Sequence, residues 1–274
     1  MFILALALTA APPSIHDQKS DLVAPKAVAA EPVAGKRVFQ ANSGFESWEL
    51  RHTLYLPTDW KPGKSYPVMV EFPGNGGFQN ALGDRCTGRP EDCNLGYGLT
   101  EGKGWIWVCL PFVDSKKKKL ALNWWGDPDA TADYCKNTVA RVCKEYGGDP
   151  DAVILAGFSR GAIACNYIGL RDDEIAKLWR GFFVHSHYDG VRRWPYADSD
   201  AASAKARLKR LGNRPQFISH EQNVEDTKKF LGDAKNFTFV PIPYPNHTDQ
   251  WVLKDIPERK RAREWLASAI AKRP

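Results

Sequence analysis

The chain has 274 residues, of which 43% are hydrophobic and 26% are charged. These proportions are typical of a globular protein, and they exclude a largely disordered chain, a collagen-like fibre and a coiled coil. Its 38 Lys and Arg residues against 32 Asp and Glu residues give a formal charge of only +6, and the one tight basic run, Lys116–Lys119, is too short to predict a nucleic-acid surface.

An apolar run from Phe2 to Ala11 opens the chain. It is too short to span a bilayer as a helix, which needs about 20 residues, but it suits the apolar region of a secretory signal, although no Lys or Arg precedes it. Small residues at positions 9–11 offer a cleavage point, and residues 27–29 (Ala-Val-Ala) offer a second one. We therefore predict a signal peptide over residues 1–11, a secreted or periplasmic protein and no membrane insertion.

Residues 12–35 are rich in Ala, Pro and Val with scattered charges. This composition predicts a linker with no core of its own. Since no second hydrophobic core is visible further on, we place one catalytic domain over residues 36–274.

Strand-like and helical patterns alternate along this domain. In chain order we predict strands at Glu49–Leu56, Tyr66–Phe72 and Trp105–Leu110, a helix at Ala130–Tyr146, a strand at Ala152–Ala156, helices at Ser159–Leu170 and Glu174–Trp179, strands at Gly181–Val184 and Gln216–Ser219, a helix at Glu225–Leu231, a strand at Phe237–Ile242 and a helix at Ile256–Ala271. The alternation predicts a parallel sheet covered by helices, with the first strand at an edge. In such a sheet the ligand lies beyond the carboxyl ends of the strands.

The apolar strand prediction at Ala152–Ala156 leads into a short motif. Residues 157–161 read Gly-Phe-Ser-Arg-Gly, which matches G-x-S-x-G. In this motif the serine lies on a strained turn between strand and helix that exposes its hydroxyl, and its neighbours are small because strand and helix nearly collide. Because an apolar strand precedes the motif and an Ala-containing helix follows it, we predict Ser159 as a nucleophile.

With this context the chain resembles the α/β-hydrolase superfamily, and within it the secreted esterases and polyester depolymerases. The resemblance covers roughly residues 48–270. It implies a single-domain α/β-hydrolase fold, with a mostly parallel central sheet and helices on both faces. It also implies a Ser–acid–His triad in that chain order and an oxyanion hole of backbone N–H groups.

The base is sought among six His residues. His16 lies in the predicted linker, His52 lies in the first strand, and His220 ends a strand just before the expected acid. His247 lies in a loop after the last strand and before the last helix, where the resemblance places the base. A serine hydroxyl is a poor nucleophile until an imidazole accepts its proton, and we predict that His247 has this role.

The acid is left open between three residues. Many relatives read His-Gly-x-x-Asp-x-x-Val at the corresponding strand end, whereas residues 220–224 read His-Glu-Gln-Asn-Val here. A three-residue shortening puts Glu221 on the Asp position, and Glu can orient an imidazole as Asp does. Asp226, which also suits the first turn of a helix, and Asp189, one strand earlier, are the alternatives.

The oxyanion hole is expected in the turn after the strand at Tyr66–Phe72. Residues 73–77 read Pro-Gly-Asn-Gly-Gly, which is similar to the His-Gly-Gly-Gly turn of esterases. Glycines let the backbone approach a ligand with its N–H groups. We predict the N–H of Asn75 or of Gly76 as the first donor and the N–H of Arg160 as the second.

Ten Trp residues are many for this length. Trp124 and Trp125 are predicted to form a stacking wall for a sugar-like or aromatic ligand, and His187 is predicted to line the pocket. No third ligand accompanies His185 and His187, so we predict no metal site. The side chain of Arg160 is left open between a substrate carboxylate and an acid of the protein.

The cysteines are consistent with export without establishing it. Cys86 and Cys93 bracket a short loop, which predicts a disulfide of feasible geometry. Cys109 and Cys165 are predicted to be buried thiols. No spacing of Cys or His residues indicates a metal.

We therefore predict an exported serine hydrolase that cleaves carboxylic esters through an acyl-enzyme and needs no cofactor. The expected partner is a small-molecule or polymeric ester, such as an esterified polysaccharide or a polyester. The alternatives are a peptidase or amidase with the same triad and a catalytically silent hydrolase fold that binds carbohydrate. The oligomeric state does not follow from the sequence.

Overall fold

A computed structural model describes residues 13–233 and 235–271. The predicted signal peptide therefore lies outside the described residues. Twelve strands are present in this part of the chain: β1 (Arg37–Gln40), β2 (His52–Tyr55), β3 (Tyr66–Phe72), β4 (Phe78–Gln79), β5 (Arg85–Cys86), β6 (Ile106–Cys109), β7 (Val113–Asp114), β8 (Lys119–Leu120), β9 (Gly148–Phe158), β10 (Gly181–His185), β11 (Gln216–Glu221) and β12 (Phe237–Ile242).

Eight of these strands form one central sheet in the order β1-β2-β6-β3-β9-β10-β11-β12. The pairs from β6 to β12 are all parallel, and β2 pairs antiparallel with both β1 and β6. The prediction that the first strand forms an edge is wrong, because β1, which the sequence pattern did not indicate, covers β2. All four residues of β2 are buried.

Seven helices accompany the strands in the described residues: α1 (Leu95–Thr100), α2 (Pro128–Tyr146), α3 (Arg160–Tyr167), α4 (Asp173–Ala176), α5 (Ala201–Leu208), α6 (Glu225–Leu231) and α7 (Pro257–Ala271). Side chains alternate across a strand, and the sheet consequently has two cores. One core joins Val68 and Val70 of β3 to the buried faces of α2 and α3. The other joins Met69 of β3 to α1 and α7, so helices lie on both faces of the sheet, as predicted.

The segment before β1 does not behave as the predicted linker. Ile15 is 1% exposed within the second core, the Asp21 carboxylate pairs with Arg259 of α7, and Val28 forms a β-bridge with Val38 of β1. The composition gave no indication of this packing, since one fully buried apolar side chain, two partly buried alanines (Ala24 and Ala30) and a few polar contacts hold the segment. Among the described helices, none is both long and apolar enough to cross a membrane.

Candidate active site

Ser159 occupies the turn that joins β9 to α3. Its backbone has a φ of 55° and a ψ of −116°, a region that L residues seldom adopt and that occurs in strained turns at functional sites. A Cβ at Gly157 would collide with the carbonyl of Gly161, and a Cβ at Gly161 would collide with the carbonyl of Phe72. The two glycines are therefore required by the close approach of helix and strand, and the turn presents the Ser159 hydroxyl at the carboxyl end of the sheet.

The structure brings Ser159, His247 and Glu221 together. His247 Nε2 lies 3.0 Å from Ser159 Oγ, and His247 Nδ1 lies 2.8 Å from Glu221 Oε1. With the Nδ1 proton donated to Glu221, Nε2 is left as the acceptor for the serine proton. Ser159 directly follows β9, Glu221 ends β11, and His247 follows β12. Because these strands are parallel, their carboxyl ends place the three residues at the same end of the sheet.

Glu221 is held as a carboxylate in spite of its burial. Burial alone would raise its pKa, but the hydrogen bond from His247 and the neighbouring imidazoles outweigh this effect and lower the pKa well below its usual range. His220 Nδ1 also lies 3.0 Å from Glu221 Oε2, although its direction suits a hydrogen bond to the Glu221 carbonyl. The negative charge of Glu221 therefore faces the imidazole of His247, which would gain a proton from Ser159.

The other two predicted acids do not contact His247. Asp189 is buried and accepts two hydrogen bonds from the guanidinium of Arg207, at 2.9 and 3.1 Å. Asp226 is exposed in the first turn of α6. Of the three alternatives, Glu221 is the one that contacts His247.

A buried carboxylate that the sequence analysis missed, Asp84, holds the loop that carries His247. Asp84 is 1% exposed and accepts hydrogen bonds from the His247 backbone N–H at 2.8 Å and from Asn246 Nδ2 at 2.9 Å. His16 of the N-terminal segment lies 2.8 Å from the same carboxylate, and the Ile15 N–H donates to Asn246 Oδ1 at 2.8 Å. The segment predicted to be a linker thus helps to fix the His247 loop.

Two further residues that contact the imidazole come from the end of β10 and from the β4–β5 hairpin. Ser186, at a φ of 87°, places its Oγ 2.8 Å from His247 Nδ1, where it shares that nitrogen with Glu221. The Phe78 ring packs against the His247 ring at 4.8 Å between centroids. No sequence signal distinguished either residue, because their contacts depend on how distant segments meet.

The backbone N–H groups of Asn75 and Arg160 have no acceptor among the described residues. Both were predicted as oxyanion donors. The alternative first donor, Gly76, does not fit that role, because its N–H donates to the Leu122 carbonyl at 2.8 Å. Of the two residues predicted as the first donor, Asn75 is therefore the one whose N–H is free to bind an oxyanion.

The side chain of Arg160 takes neither of its predicted roles. It is 1% exposed and donates to the carbonyls of Ala121 and Trp124, at 3.1 and 2.6 Å, while its guanidinium lies 4.0 Å from the Phe112 ring centre. Burial lowers its pKa to about 9. Arg160 therefore holds the 121–124 loop in place rather than pairing with an acid.

Trp124 and Trp125, predicted as one stacking wall, point to different places. Trp124 has a φ of 50°, its N–H donates to Asn75 Oδ1 at 2.8 Å, and its half-buried ring faces the pocket beside Ser159. Trp125 is only 4% exposed and stacks on Tyr167 in the core, with 4.8 Å between ring centroids. The prediction of a substrate contact at Trp125 is wrong, since its ring is buried in the core and does not line the pocket.

The pocket beside Ser159 has a volume of about 440 Å³. Besides Ser159 and His247 it is lined by Asn75, Phe78, Trp124, Arg160, Ile163, His187, Arg192 and Trp194. His187 thus lies where it was predicted. Burial and the nearby His247 lower its pKa to about 3, so it is a neutral wall of the pocket.

The predicted disulfide is absent, because Cys86 and Cys93 are both free thiols. Cys93 instead lies with Cys109 and Glu71 in a buried group whose potential ligand atoms are within 4.8 Å of one another. Hydrogen-bond donors already contact the potential ligand atoms of Glu71 and Cys109. Glu71 accepts from Trp107 Nε1 and from the N–H groups of Leu95 and Gly96, and Arg37 donates to Cys109 Sγ. A group surrounded by donors, one of them a cation, does not suit a metal ion.

No protein-family model matches the chain, and no curated protein is similar to it in sequence. Solved structures are similar in fold. The crystal structure of a thermostable esterase matches with a TM-score of 0.53 and 14% identity, over 84% of this chain and 62% of that one. Thermogutta terrifontis esterase 2 phosphorylated by paraoxon matches with a TM-score of 0.59 and 16% identity, over 85% of this chain and 93% of that one.

A third similar structure is a mutant of the feruloyl esterase module from Clostridium thermocellum, complexed with sinapinate. It matches with a TM-score of 0.53 and 15% identity, over 91% of this chain and 95% of that module. These similarities, together with the eight-stranded sheet, confirm the predicted α/β-hydrolase fold. A fold of this kind serves many reactions, so the reaction has to be argued from the site.

Proposed function

We propose that the chain is a serine hydrolase that cleaves carboxylic esters, with Ser159 as nucleophile, His247 as base and Glu221 as the acid that orients it. The observation that carries the proposal is the unbroken contact from Ser159 Oγ through both nitrogens of His247 to Glu221 Oε1, at 3.0 and 2.8 Å. Both are hydrogen-bond distances, and the one from Ser159 to His247 lies within the range that proton transfer requires.

In the first half of the reaction Ser159 Oγ attacks the ester carbonyl carbon and its proton passes to His247 Nε2. The Glu221 carboxylate stabilises the imidazolium that forms. The oxyanion of the tetrahedral intermediate accepts hydrogen bonds from the N–H groups of Asn75 and Arg160, which have no other partner in the described residues. His247 then donates its proton to the leaving alcohol, and an acyl-enzyme on Ser159 remains.

In the second half a water molecule attacks the acyl carbonyl while His247 removes a proton from it. The same two N–H groups stabilise the second oxyanion, and as the intermediate collapses His247 returns the proton to Ser159 Oγ, which releases the acid and restores both residues. Each such donor contributes about 3 kcal/mol to transition-state stabilisation in known hydrolases. Every proton transfer in this scheme uses His247.

The test is a panel of p-nitrophenyl acetate, p-nitrophenyl butyrate, acetylated xylan and methyl ferulate, run beside the p-nitroanilides of the same two acyl groups. We expect turnover of esters and little turnover of anilides. Anilide turnover as fast as ester turnover would make the chain an amidase. Binding of xylan without turnover of any compound would indicate the silent carbohydrate-binding alternative.

The contacts of Asp84 predict that it positions His247 and takes no part in proton transfer. Asp84→Asn replaces one acceptor oxygen by an NH₂ group, which then faces the N–H donors that the carboxylate bound. An unpaired buried polar group of this kind lowers stability by about 1–3 kcal/mol. A shift of the His247 loop by about 1 Å can lower the rate a hundredfold. We expect kcat to fall tenfold to a hundredfold with KM within threefold of wild type.

Steady-state kinetics on p-nitrophenyl butyrate check this prediction, and Asp17→Asn, an exposed change in the same N-terminal segment, is the matched control. The fluorophosphonate labelling rate of Ser159 should fall in parallel with kcat in Asp84→Asn. An Asp84→Asn protein of reduced unfolding temperature but unchanged kcat would show that Asp84 serves stability alone.

We also propose that the protein is exported and that its signal is removed before Ser14. Cleavage after Ala29 would discard Ile15, which is buried, and the contacts of Ser14 and Ile15 with Asn246. These contacts support retention of the segment. N-terminal sequencing of the exported protein is expected to begin upstream of Ser14, and a first residue at position 30 would contradict this.

A further inference from the structure

One charged side chain at the pocket beside Ser159 has no role in the proposed chemistry. The pocket is lined by two arginines and by no carboxylate. Arg160 is buried and donates to loop carbonyls, and His187 is neutral because its pKa is lowered to about 3. Arg192 is therefore the exposed cation of the pocket wall.

The guanidinium of Arg192 has no acidic partner among the described residues. Asp189, three positions earlier, is nearly completely buried and bound to Arg207 at 2.9 Å. Asp226 and Arg192 both line a small neighbouring cavity, but the two form no ion pair. An unpaired arginine at the edge of an apolar pocket is available to an anion from solution.

The loop that carries Arg192 is held by several contacts. Arg192 forms a β-bridge with Asp189. Further along, the Trp194 carbonyl accepts a hydrogen bond from Ser199 Oγ at 2.7 Å. The Trp194 ring packs on Trp124 at 5.5 Å and on His187 at 5.2 Å between centroids. The backbone that carries Arg192 is thus held in place, and the two indole rings line the same pocket as Arg192 and Ser159.

Building on the proposed function, we infer that the preferred substrate is an ester that carries a carboxylate on a planar or sugar ring. The ring packs against the faces of Trp124 and Trp194, which suit flat ligands. The carboxylate binds Arg192, whose planar guanidinium matches the two carboxylate oxygens. Arg192 is then a specificity-determining residue that contributes to binding and leaves the chemistry to His247.

The test uses two pairs of esters that differ only in charge. In the acyl pair, p-nitrophenyl 4-carboxybenzoate is compared with p-nitrophenyl 4-carbamoylbenzoate. In the alcohol pair, 4-carboxyphenyl butyrate is compared with 4-carbamoylphenyl butyrate. The measured quantity is the ratio of kcat/KM for the carboxylate to that for the carboxamide, and the pair with the higher ratio shows on which side of the scissile bond the anion lies.

For wild type we expect a ratio of about ten or more in at least one pair, most of it in KM, and a decrease when the salt concentration is raised. Arg192→Gln should bring the ratio close to one, and Arg192→Lys, which keeps the charge but not the planar fork, should give an intermediate ratio. Arg193→Gln is the matched control, because this neighbouring arginine is also exposed and does not line the pocket; it should keep the wild-type ratio.

Ratios near one in wild type for both pairs would overturn the inference, as would a ratio that Arg192→Gln leaves unchanged. In both cases the carboxamide esters would still be hydrolysed, and the proposed function would stand. If no member of either pair is hydrolysed, the proposed function fails and the inference fails with it.

Discussion

Replacement of Ser159 by alanine is expected to lower kcat/KM for p-nitrophenyl butyrate by about 10⁴-fold or more. The variant loses the only hydroxyl that contacts His247 Nε2 among the described residues, and in a related catalytic arrangement loss of the serine costs about 10⁶-fold. What remains is the contribution of the two backbone donors and of binding. The fold should be unaffected, because alanine meets the same backbone requirement at this turn as serine.

A double variant makes this prediction stricter. Residues that act in one proton-transfer unit are strongly non-additive, so Ser159→Ala combined with His247→Ala should be no slower than Ser159→Ala alone. Ser268→Ala, an exposed change on α7, is the control and should match wild type. A Ser159→Ala protein that retains more than a tenth of the wild-type rate would remove Ser159 from the mechanism.

Replacement of Glu221 by glutamine is expected to lower kcat/KM by about 10³-fold to 10⁴-fold. The amide can turn its NH₂ group towards His247 Nδ1, which favours the tautomer with the proton on Nε2, and that nitrogen can then no longer accept the serine proton. The imidazolium also loses the carboxylate 2.8 Å away. Steady-state rates of the purified variant, with circular dichroism to establish folding, check the prediction.

Variants of Asp226 and Asp189, the two acids that do not contact His247, are compared with Glu221→Gln. Asp226→Asn, an exposed change on α6, should stay within twofold of wild type. Asp189→Asn should lower the unfolding temperature, because it disturbs a buried pair with Arg207, but should affect the rate far less than Glu221→Gln. A larger rate loss in either Asp variant than in Glu221→Gln would move the acid to that residue.

The nucleophile was predictable because its signal is local. The glycines around Ser159 and the apolar strand before it are adjacent in the sequence, and the structure gives each of them the expected place. His247 was predictable because the chain has only six histidines and the resemblance places the base in the loop between the last strand and the last helix. Glu221 stayed one of three alternatives, since three acids follow adjacent strands and only the register of the segments shows which one faces the imidazole.

What the sequence did not reveal depends on contacts between distant segments. Asp84 meets the His247 backbone N–H across 163 positions, and nothing near Asp84 in the sequence marks it. Helix α1 was missed because it contains Gly96 and Gly98, which weaken a helical pattern; the two glycines lie against the side chains of Trp107 and Val252, where no larger residue would fit. For both Asp84 and helix α1, tertiary packing rather than local sequence determines the structure.

The start of helix α5, in contrast, is marked in the sequence. Helix α5 follows Asp200, whose side chain accepts hydrogen bonds from the N–H groups of Ala202 and Ser203. An Asp before a run of alanines and basic residues is a regular helix start. The Trp pair is different, because the sequence does not show that the Trp125 ring is buried against Tyr167 while the Trp124 ring faces the pocket.

The most direct test of the proposed function is intact-mass analysis of the protein after exposure to a fluorophosphonate, followed by peptide mapping. Such a reagent phosphonylates only a serine whose hydroxyl is activated by a neighbouring base. We expect one adduct per chain, on Ser159, absent in Ser159→Ala and formed far more slowly in Glu221→Gln. A folded wild-type protein that gains no adduct, or gains it on another residue, would contradict the proposed mechanism.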